Sequence, residues 1–244
     1  MTRPHILSGK PGGILLICDH ASNAVPDGID LGIAPALLEK HIAIDIGTAA
    51  LTQALAAELR TPALLATLSR LVIDLNRPID HPGLIPLASD GHAIPGNATA
   101  DRTDRISRFY TPYHDALAAL IVETQPTLIA AIHSFTPRLE HGDGAPRPWE
   151  IGILSNTDRR AADIALPLLA AQGLVTGDNE PYSGQLLNAT LDRHGEGNHI
   201  PSLSIEIRND LIADLVGVRR WTAILAPTLR EISNRLASSD HPTQ

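Results

Sequence analysis

Gly13-Ile14-Leu15-Leu16-Ile17-Cys18 is a short, unbroken apolar run entered through glycine, and Asp19-His20 follows it at once. A continuous apolar run of this length predicts a strand buried on both faces. Such strands belong to sheets covered by helices on both sides, where parallel pairing dominates. The rest of the chain repeats the theme. Residues 63–68 and 71–75 are further apolar runs, strands are predicted at 127–132, 150–154 and 202–207, and helical patterns occupy 45–60, 104–124, 159–171 and 221–236. This alternation predicts an α/β fold of three layers, α/β/α, around a largely parallel sheet.

No internal repeat, low-complexity block or long linker divides the chain, so residues 1–244 are expected to form one domain. With 43% hydrophobic positions the chain has enough apolar side chain for one sizeable core. Residues 79–101, rich in Pro, Gly, His and Asp, read as a long functional loop rather than a spacer.

A net charge of −8, with 19 Lys+Arg among 27 Asp+Glu, argues against binding to nucleic acid, which needs a basic stripe. Aromatic residues are 3% of the chain, too few for base-stacking platforms. An anionic substrate therefore needs locally placed cations. Cys18 is the single cysteine, so neither an internal disulfide nor a thiolate zinc cluster is expected. Residues 1–10 lack signal-peptide character, and no run approaches the roughly 20 apolar residues of a membrane span. The expectation is a soluble, cytoplasmic protein with no membrane partner; oligomeric state is left open.

In open α/β sheets ligands bind beyond the carboxyl ends of the strands. Asp19-His20 follow the first strand, His133 follows Ile132, Glu206 lies near the end of its strand, and Asn76-Arg77 follow Leu75. Polar groups from four runs are thus aimed at one edge. A catalytic zinc site needs about three nitrogen or oxygen ligands and an open position for water. His20 and His133 are the leading nitrogen donors. The third ligand should be an anion, and Asp45, at the start of a helix in His41-Ile42-Ala43-Ile44-Asp45, is the first choice. Asn23 is the rival, although a neutral amide is the poorer donor. Asp19 is a candidate to orient a ligating histidine from behind. Against these roles, a histidine after a strand is often a loop residue, and an Asp at a helix start often serves the first turn.

Several blocks resemble the N-formylglutamate amidohydrolase family. They are Cys18-Asp19-His20-Ala21-Ser22-Asn23, Ser69-Arg70-Leu71-Val72-Ile73-Asp74-Leu75-Asn76-Arg77-Pro78, Ile132-His133-Ser134-Phe135-Thr136-Pro137 and Ile205-Glu206-Ile207-Arg208-Asn209-Asp210-Leu211. Asp178-Asn179-Glu180-Pro181-Tyr182-Ser183-Gly184 and Leu191-Asp192-Arg193-His194-Gly195 extend the likeness. More distantly, the family resembles zinc carboxypeptidases and aspartoacylases. The resemblance implies a mixed sheet flanked by helices, of the phosphorylase/hydrolase-like type, with one Zn2+ and a glutamate base. It puts His20 and His133 at the ligating histidines, Glu206 at the general base, and Asp74-Leu75-Asn76-Arg77 at the substrate-carboxylate motif. The distant relatives carry His-x-x-Glu where this chain has His20-Ala21-Ser22-Asn23, so the third ligand stays open between Asp45 and Asn23.

The activity this implies is metal-dependent hydrolysis of the amide of a small N-acyl amino acid, with N-formyl-L-glutamate giving formate and glutamate. Glu206 would move the proton, Arg70 would stabilise the oxyanion, and Asn76 and Arg77 would grip the α-carboxylate. Arg105, Tyr113 and His194 join them as candidate substrate contacts, His114 as a further pocket residue, while Asn179 and Glu180 have no derivable role. Two alternatives accompany this reading. One is a hydrolase of another N-acyl amino acid or a short peptide; the other is a small-molecule binding protein without catalysis. The ligand types also admit divalent ions other than zinc.

Overall fold

The computed structural model describes residues 3–142 and 144–239. In chain order it contains β1 (His5–Leu7), β2 (Ile14–Cys18), α1 (Thr48–Leu59), β3 (Ala63–Leu65), and a small hairpin of β4 (Ala88–Ser89) and β5 (His92–Ala93). A continuous helical run follows, α2 (Arg102–Arg105) passing through a π turn (Ile106–Tyr110) into α3 (Thr111–Thr124). Then come β6 (Leu128–Phe135), β7 (Ile151–Leu154), α4 (Arg160–Ala170), β8 (Thr176–Asp178), α5 (Ala189–His194), β9 (Ser202–Arg208) and α6 (Leu215–Ser239).

Seven strands form one mixed sheet in the order β1-β3-β2-β6-β9-β7-β8. The pairs β2/β3, β2/β6, β6/β9 and β7/β8 are parallel, while β1/β3 and β7/β9 are antiparallel. β2 is buried along its whole length, as a central strand covered on both faces must be. The period of two sorts side chains between two cores. Leu16, Cys18, Ile132 and Ile205 face one way, against Leu51 of α1, Ala165 of α4 and Trp221 of α6. Leu15, Ile17, Ile129 and Ala131 face the other way, against Leu117 and Ile121 of α3. This is the expected three-layer α/β/α arrangement.

The same alternation sends His133 and Glu206 to the α3 side of the sheet. Register makes them neighbours, because His133 pairs with Glu206 across β6/β9. On its other flank Glu206 pairs with Gly152 of β7. A β-carbon at Gly152 would collide with the Glu180 carbonyl oxygen, so this position beside Glu206 needs glycine. Both functional candidates lie inside their strands, where the sequence had suggested strand ends at 132 and 207. The structure extends β6 to Phe135 and β9 to Arg208.

The apolar run at 71–75 is buried but is not a strand. Its carbonyls are taken up by side chains instead of a ladder. Asn97 Nδ2 donates to the Leu71 carbonyl at 2.8 Å, Arg105 to that of Val72 at 2.7 Å, and His114 Nε2 to that of Leu75 at 3.1 Å. Buried backbone oxygen must be satisfied, and here loop and helix side chains do it. Apolarity alone does not separate such a segment from a strand. Two short strands, β1 and β8, carry too few residues to show a pattern. No helix among the described residues is long and apolar enough to cross a membrane.

Asp45 sits in the turn before α1, which begins at Thr48, where the sequence suggested a helix from residue 45. Three bonds hold this turn: the Asp45 amide donates to the His20 carbonyl at 3.1 Å, and the Thr48 amide and Oγ1 donate to the Asp45 carbonyl at 3.3 and 2.6 Å. Gly47, at φ 85°, caps the helix, and a β-carbon there would collide with the Ile212 carbonyl oxygen. Gly47→Ala should therefore lower the unfolding free energy by more than ~1 kcal/mol in a urea titration. An unchanged midpoint and slope would show that the turn relaxes freely.

Candidate active site

Three donor atoms converge beneath the carboxyl ends of β2 and β6. Asp45 Oδ2 lies 3.3 Å from His20 Nδ1 and 2.9 Å from His133 Nδ1. The donors of His20, Asp45 and His133 all lie within 4.8 Å of one another, and all three residues are buried. Ligands each ~2.1 Å from a tetrahedral ion stand about 3.4 Å apart, so the spacing suits a single cation.

The outer ring nitrogens are backed by carboxylates. His20 Nε2 donates to Asp74 Oδ1 at 2.8 Å, and His133 Nε2 lies 3.4 Å from Asp19 Oδ2. An N–H directed outward at each ring leaves the Nδ1 lone pair pointing inward, toward Asp45. This is the carboxylate–histidine pairing that orients metal-ligating imidazoles. Asp19 is itself held by Tyr113 Oη at 2.6 Å and Thr190 Oγ1 at 3.2 Å. Arg70 completes the frame, donating to Asp45 Oδ1 at 3.1 Å and, through Nε and one terminal nitrogen, to Asp74 Oδ2 at 3.2 and 2.7 Å.

The electrostatics call for positive charge at the meeting point. Burial opposes ionisation of Asp45, yet His20, His133 and Arg70 hold its pKa below the ordinary carboxylate range. Burial likewise opposes a charged His133, but Asp19 and Asp45 raise the ring well above its usual value. Burial and Arg70 depress His20, and Asp74 and Asp45 overcome them. With both imidazoles neutral, as metal ligation requires, Asp19, Asp45 and Asp74 against one guanidinium leave two negative charges, the charge of one divalent ion. The donor set therefore fits a metal of the zinc type.

Glu206 stands apart from this network. Burial pushes its carboxyl up to about 7, with His133 pulling it down and Asp45 pushing it further up. Its Oε2 is buried and, among the described residues, without a hydrogen-bond partner. Glu206 lines a cavity of about 360 Å³ together with His20, Asp45, His133, Arg70 and Arg77. Asn76 and Tyr182 share the wall. The Asn76 side chain is engaged with backbone, accepting from the Thr190 amide at 3.0 Å and reaching the Leu187 carbonyl at 3.5 Å. Arg77 approaches Asp74 only to 3.8 Å.

A family model described as N-formylglutamate amidohydrolase matches residues 12–213. The chain belongs to the N-formylglutamate amidohydrolase family. Similar solved structures span nearly its full length. A gene product of Agrobacterium tumefaciens is 32% identical, covers 99% of this chain and 97% of its own, and superposes with a TM-score of 0.90. N-formylglutamate amidohydrolase from Ralstonia eutropha is 21% identical, with 98% of this chain and 100% of that chain covered and a TM-score of 0.71. A bacteriophage poly-gamma-glutamate hydrolase shares the fold at 9% identity, 97% and 91% coverage and a TM-score of 0.50. No curated protein matches. As a member of an amidohydrolase family, the chain has amide hydrolysis as its reaction class.

In this N-formylglutamate amidohydrolase family member, several sequence candidates fall away from the cavity wall. Asn23 donates to Glu39 Oε1 at 3.0 Å on an exposed edge, outside the His20–Asp45–His133 cluster. Arg105 is buried with its guanidinium on the Val72 carbonyl and Asn97 Oδ1, so it secures the 71–75 segment instead of contacting the cavity. Tyr113 sits one layer back, on Asp19. Asn179 Oδ1 accepts from the Ser155 and Gly184 amides at 3.1 and 2.9 Å, and the Glu180 carbonyl packs against Gly152. Asp74 was the residue the sequence undersold. Its signal was a lone carboxylate inside the apolar stretch Leu71-Val72-Ile73-Asp74-Leu75.

His194 also lies behind the wall, paired with His114. His114 Nε2 must donate to the Leu75 carbonyl, so its Nδ1 accepts from His194 Nε2 at 2.9 Å. Both rings are then neutral. Burial, chiefly, pushes His114 down to about 3, and burial with Arg193 pushes His194 down to about 4. The unfolded chain takes up protons near the ordinary value of 6.5 while the folded pair refuses them. The pair's contribution is thus full above about pH 6.5 and is lost as pH falls toward 4. Urea unfolding at pH 8 and pH 5 should show a smaller acid loss in His114→Gln, whose amide can bond both neighbours without titrating. An equal loss in both proteins would remove the pair from the acid response.

Proposed function

We propose that the protein is a zinc-dependent amidohydrolase that cleaves the acyl–nitrogen bond of a small N-acyl amino acid, with N-formyl-L-glutamate the substrate that the family name puts forward. The observation that carries this reading is the inward convergence of His20 Nδ1, His133 Nδ1 and Asp45 Oδ2, with Glu206 beside it on the same wall. When bound, the ion supplies Lewis-acid polarisation of a carbonyl and acidifies a water.

The chain's own residues supply the rest. Glu206, poised near neutrality, takes the proton of the attacking water and returns it to the leaving amine, a task suited to a carboxyl with pKa about 7. Asp74 and Asp19 fix the imidazole orientations. Arg77 offers its planar fork to the α-carboxylate. Arg70 has three of its five N–H groups committed to Asp45 and Asp74, and the other two are left for the oxyanion.

Metal analysis of the purified protein, combined with formate release from N-formyl-L-glutamate and other N-formyl amino acids, tests the reading. About one zinc per chain and chelator-sensitive release are expected; no metal together with no release on any member would leave a binding protein. Glu206→Gln should lower kcat by at least ~10²-fold with metal content unchanged. Full turnover in that variant would assign the base elsewhere. Arg77→Ala should raise KM far more than it lowers kcat, and an unmoved KM would take Arg77 out of the carboxylate role.

A further inference from the structure

Tyr182 stands on the cavity wall with Glu206 and Arg70, and both are among the charges that act on its phenol. The backbone delivers it there. Asn179 Oδ1 accepts the Ser155 and Gly184 amides, which closes residues 179–184 into a loop against the end of β7. Near the start of that loop the Glu180 carbonyl packs against Gly152, the residue paired with Glu206 across β7/β9. Tyr182 follows two residues later and is half-buried.

The bonding of its hydroxyl is one-sided. Arg147 Nη1 donates to Tyr182 Oη at 3.1 Å and to the Thr136 carbonyl at 3.1 Å. The guanidinium lies 5.0 Å from the Tyr182 ring centroid and 6.0 Å from that of Phe135. A guanidinium has no lone pair to offer, so this bond occupies an acceptor site of the phenol and turns its hydrogen away from Arg147. Among the described residues no hydrogen-bond acceptor meets that hydrogen. Burial and Glu206 raise the phenol above its usual value, against Arg147 and Arg70, so the hydrogen is retained at neutral pH. A donor with its hydrogen unclaimed, on the wall that carries Glu206 and Arg70, is placed to meet an oxygen that gains charge.

We propose that Tyr182 is a further catalytic residue, whose hydroxyl donates a hydrogen bond to the acyl oxygen as the acyl carbon becomes tetrahedral, with Arg147 the positioning residue that aims it. This rests on the hydrolase reading, and no proton changes hands at Tyr182. Tyr182→Phe, which keeps the ring and its packing, should lower kcat by about 10²-fold on the N-formyl amino acid cleaved fastest, with KM little moved. A phosphonamidate analogue of N-formyl-L-glutamate, with tetrahedral phosphorus in place of the acyl carbon, should bind that variant more weakly by a similar factor. Arg147→Met should cost about 10-fold in kcat in the parent protein and nothing further in Tyr182→Phe, a non-additivity that a merely structural role would not produce. An unmoved kcat in Tyr182→Phe, or a rise in KM alone, would overturn the proposal, and additive losses would remove Arg147 from it. Should the parent protein release formate from no N-formyl amino acid, the hydrolase reading fails by itself. The role of Tyr182 then falls with it if parent and Tyr182→Phe bind the analogue equally, and stands if the variant binds it more weakly.

Discussion

The meeting of His20 Nδ1, His133 Nδ1 and Asp45 Oδ2 is the constraint around which the protein is arranged. Electron pairs aimed at one buried point repel unless positive charge lies between them. The surrounding groups tighten that demand, because Asp74 takes the outer N–H of His20 and Asp19 faces the outer nitrogen of His133 at 3.4 Å, which favours lone pairs turned inward. Arg70 answers part of the negative charge and does so from the side, binding Asp45 through the oxygen that does not face the imidazoles. The two charges left over suit a divalent ion, and they explain why the imidazole pKa values are driven upward where burial alone would lower them.

Two kinds of backbone share the work of holding this centre. The sheet positions His133 and Glu206 by register, a precise device because slipping one residue would turn both side chains into the opposite core. Asp45, Arg70, Asp74 and Arg77 come from irregular segments, where no ladder imposes a side-chain direction. There the backbone is pinned by side chains: Ser69 Oγ on the Ala43 carbonyl, Asn97 on Leu71 and Pro86, Arg105 on Val72, His114 and Thr190 on Leu75. Several residues that resemble site residues in the sequence are therefore fasteners of the loop that carries the site.

This division explains what could be read in advance. β2, β6, β7, β9 and the long helices were legible because burial imposes apolar runs and helical periods on them. His20, His133 and Glu206 were legible because they interrupt those runs at one end of the sheet. Residues 71–75 were misleading because a buried loop is as apolar as a buried strand, and the difference lies in who satisfies its carbonyls. That depends on Asn97, Arg105 and His114, far along the chain. Arg105 and His194 shared the polar, family-like character of true wall residues, and only packing separates a charge facing a cavity from one facing a carbonyl. The choice of Asp45 over Asn23 rested on charge, and the structure brings Asp45 to the imidazoles while Asn23 turns to Glu39.

Arg70 and Arg77, seven residues apart in one segment, show how partners rather than residue type assign chemistry. Arg70 is bound to two carboxylates that the centre cannot lose, so its position is dictated by the donor cluster. Arg77 has only a distant contact to Asp74, at 3.8 Å, and lines the cavity. Other parts of the wall, at Pro86, Ala88, Leu139 and Leu187, come from loops that take no part in the network of Asp19, Asp45, Asp74 and Arg70. Residues there can change without disturbing the charge balance at the centre. The geometry thus separates the groups of the donor centre, fixed by sheet register and buried ion pairs, from the loop-borne remainder of the wall.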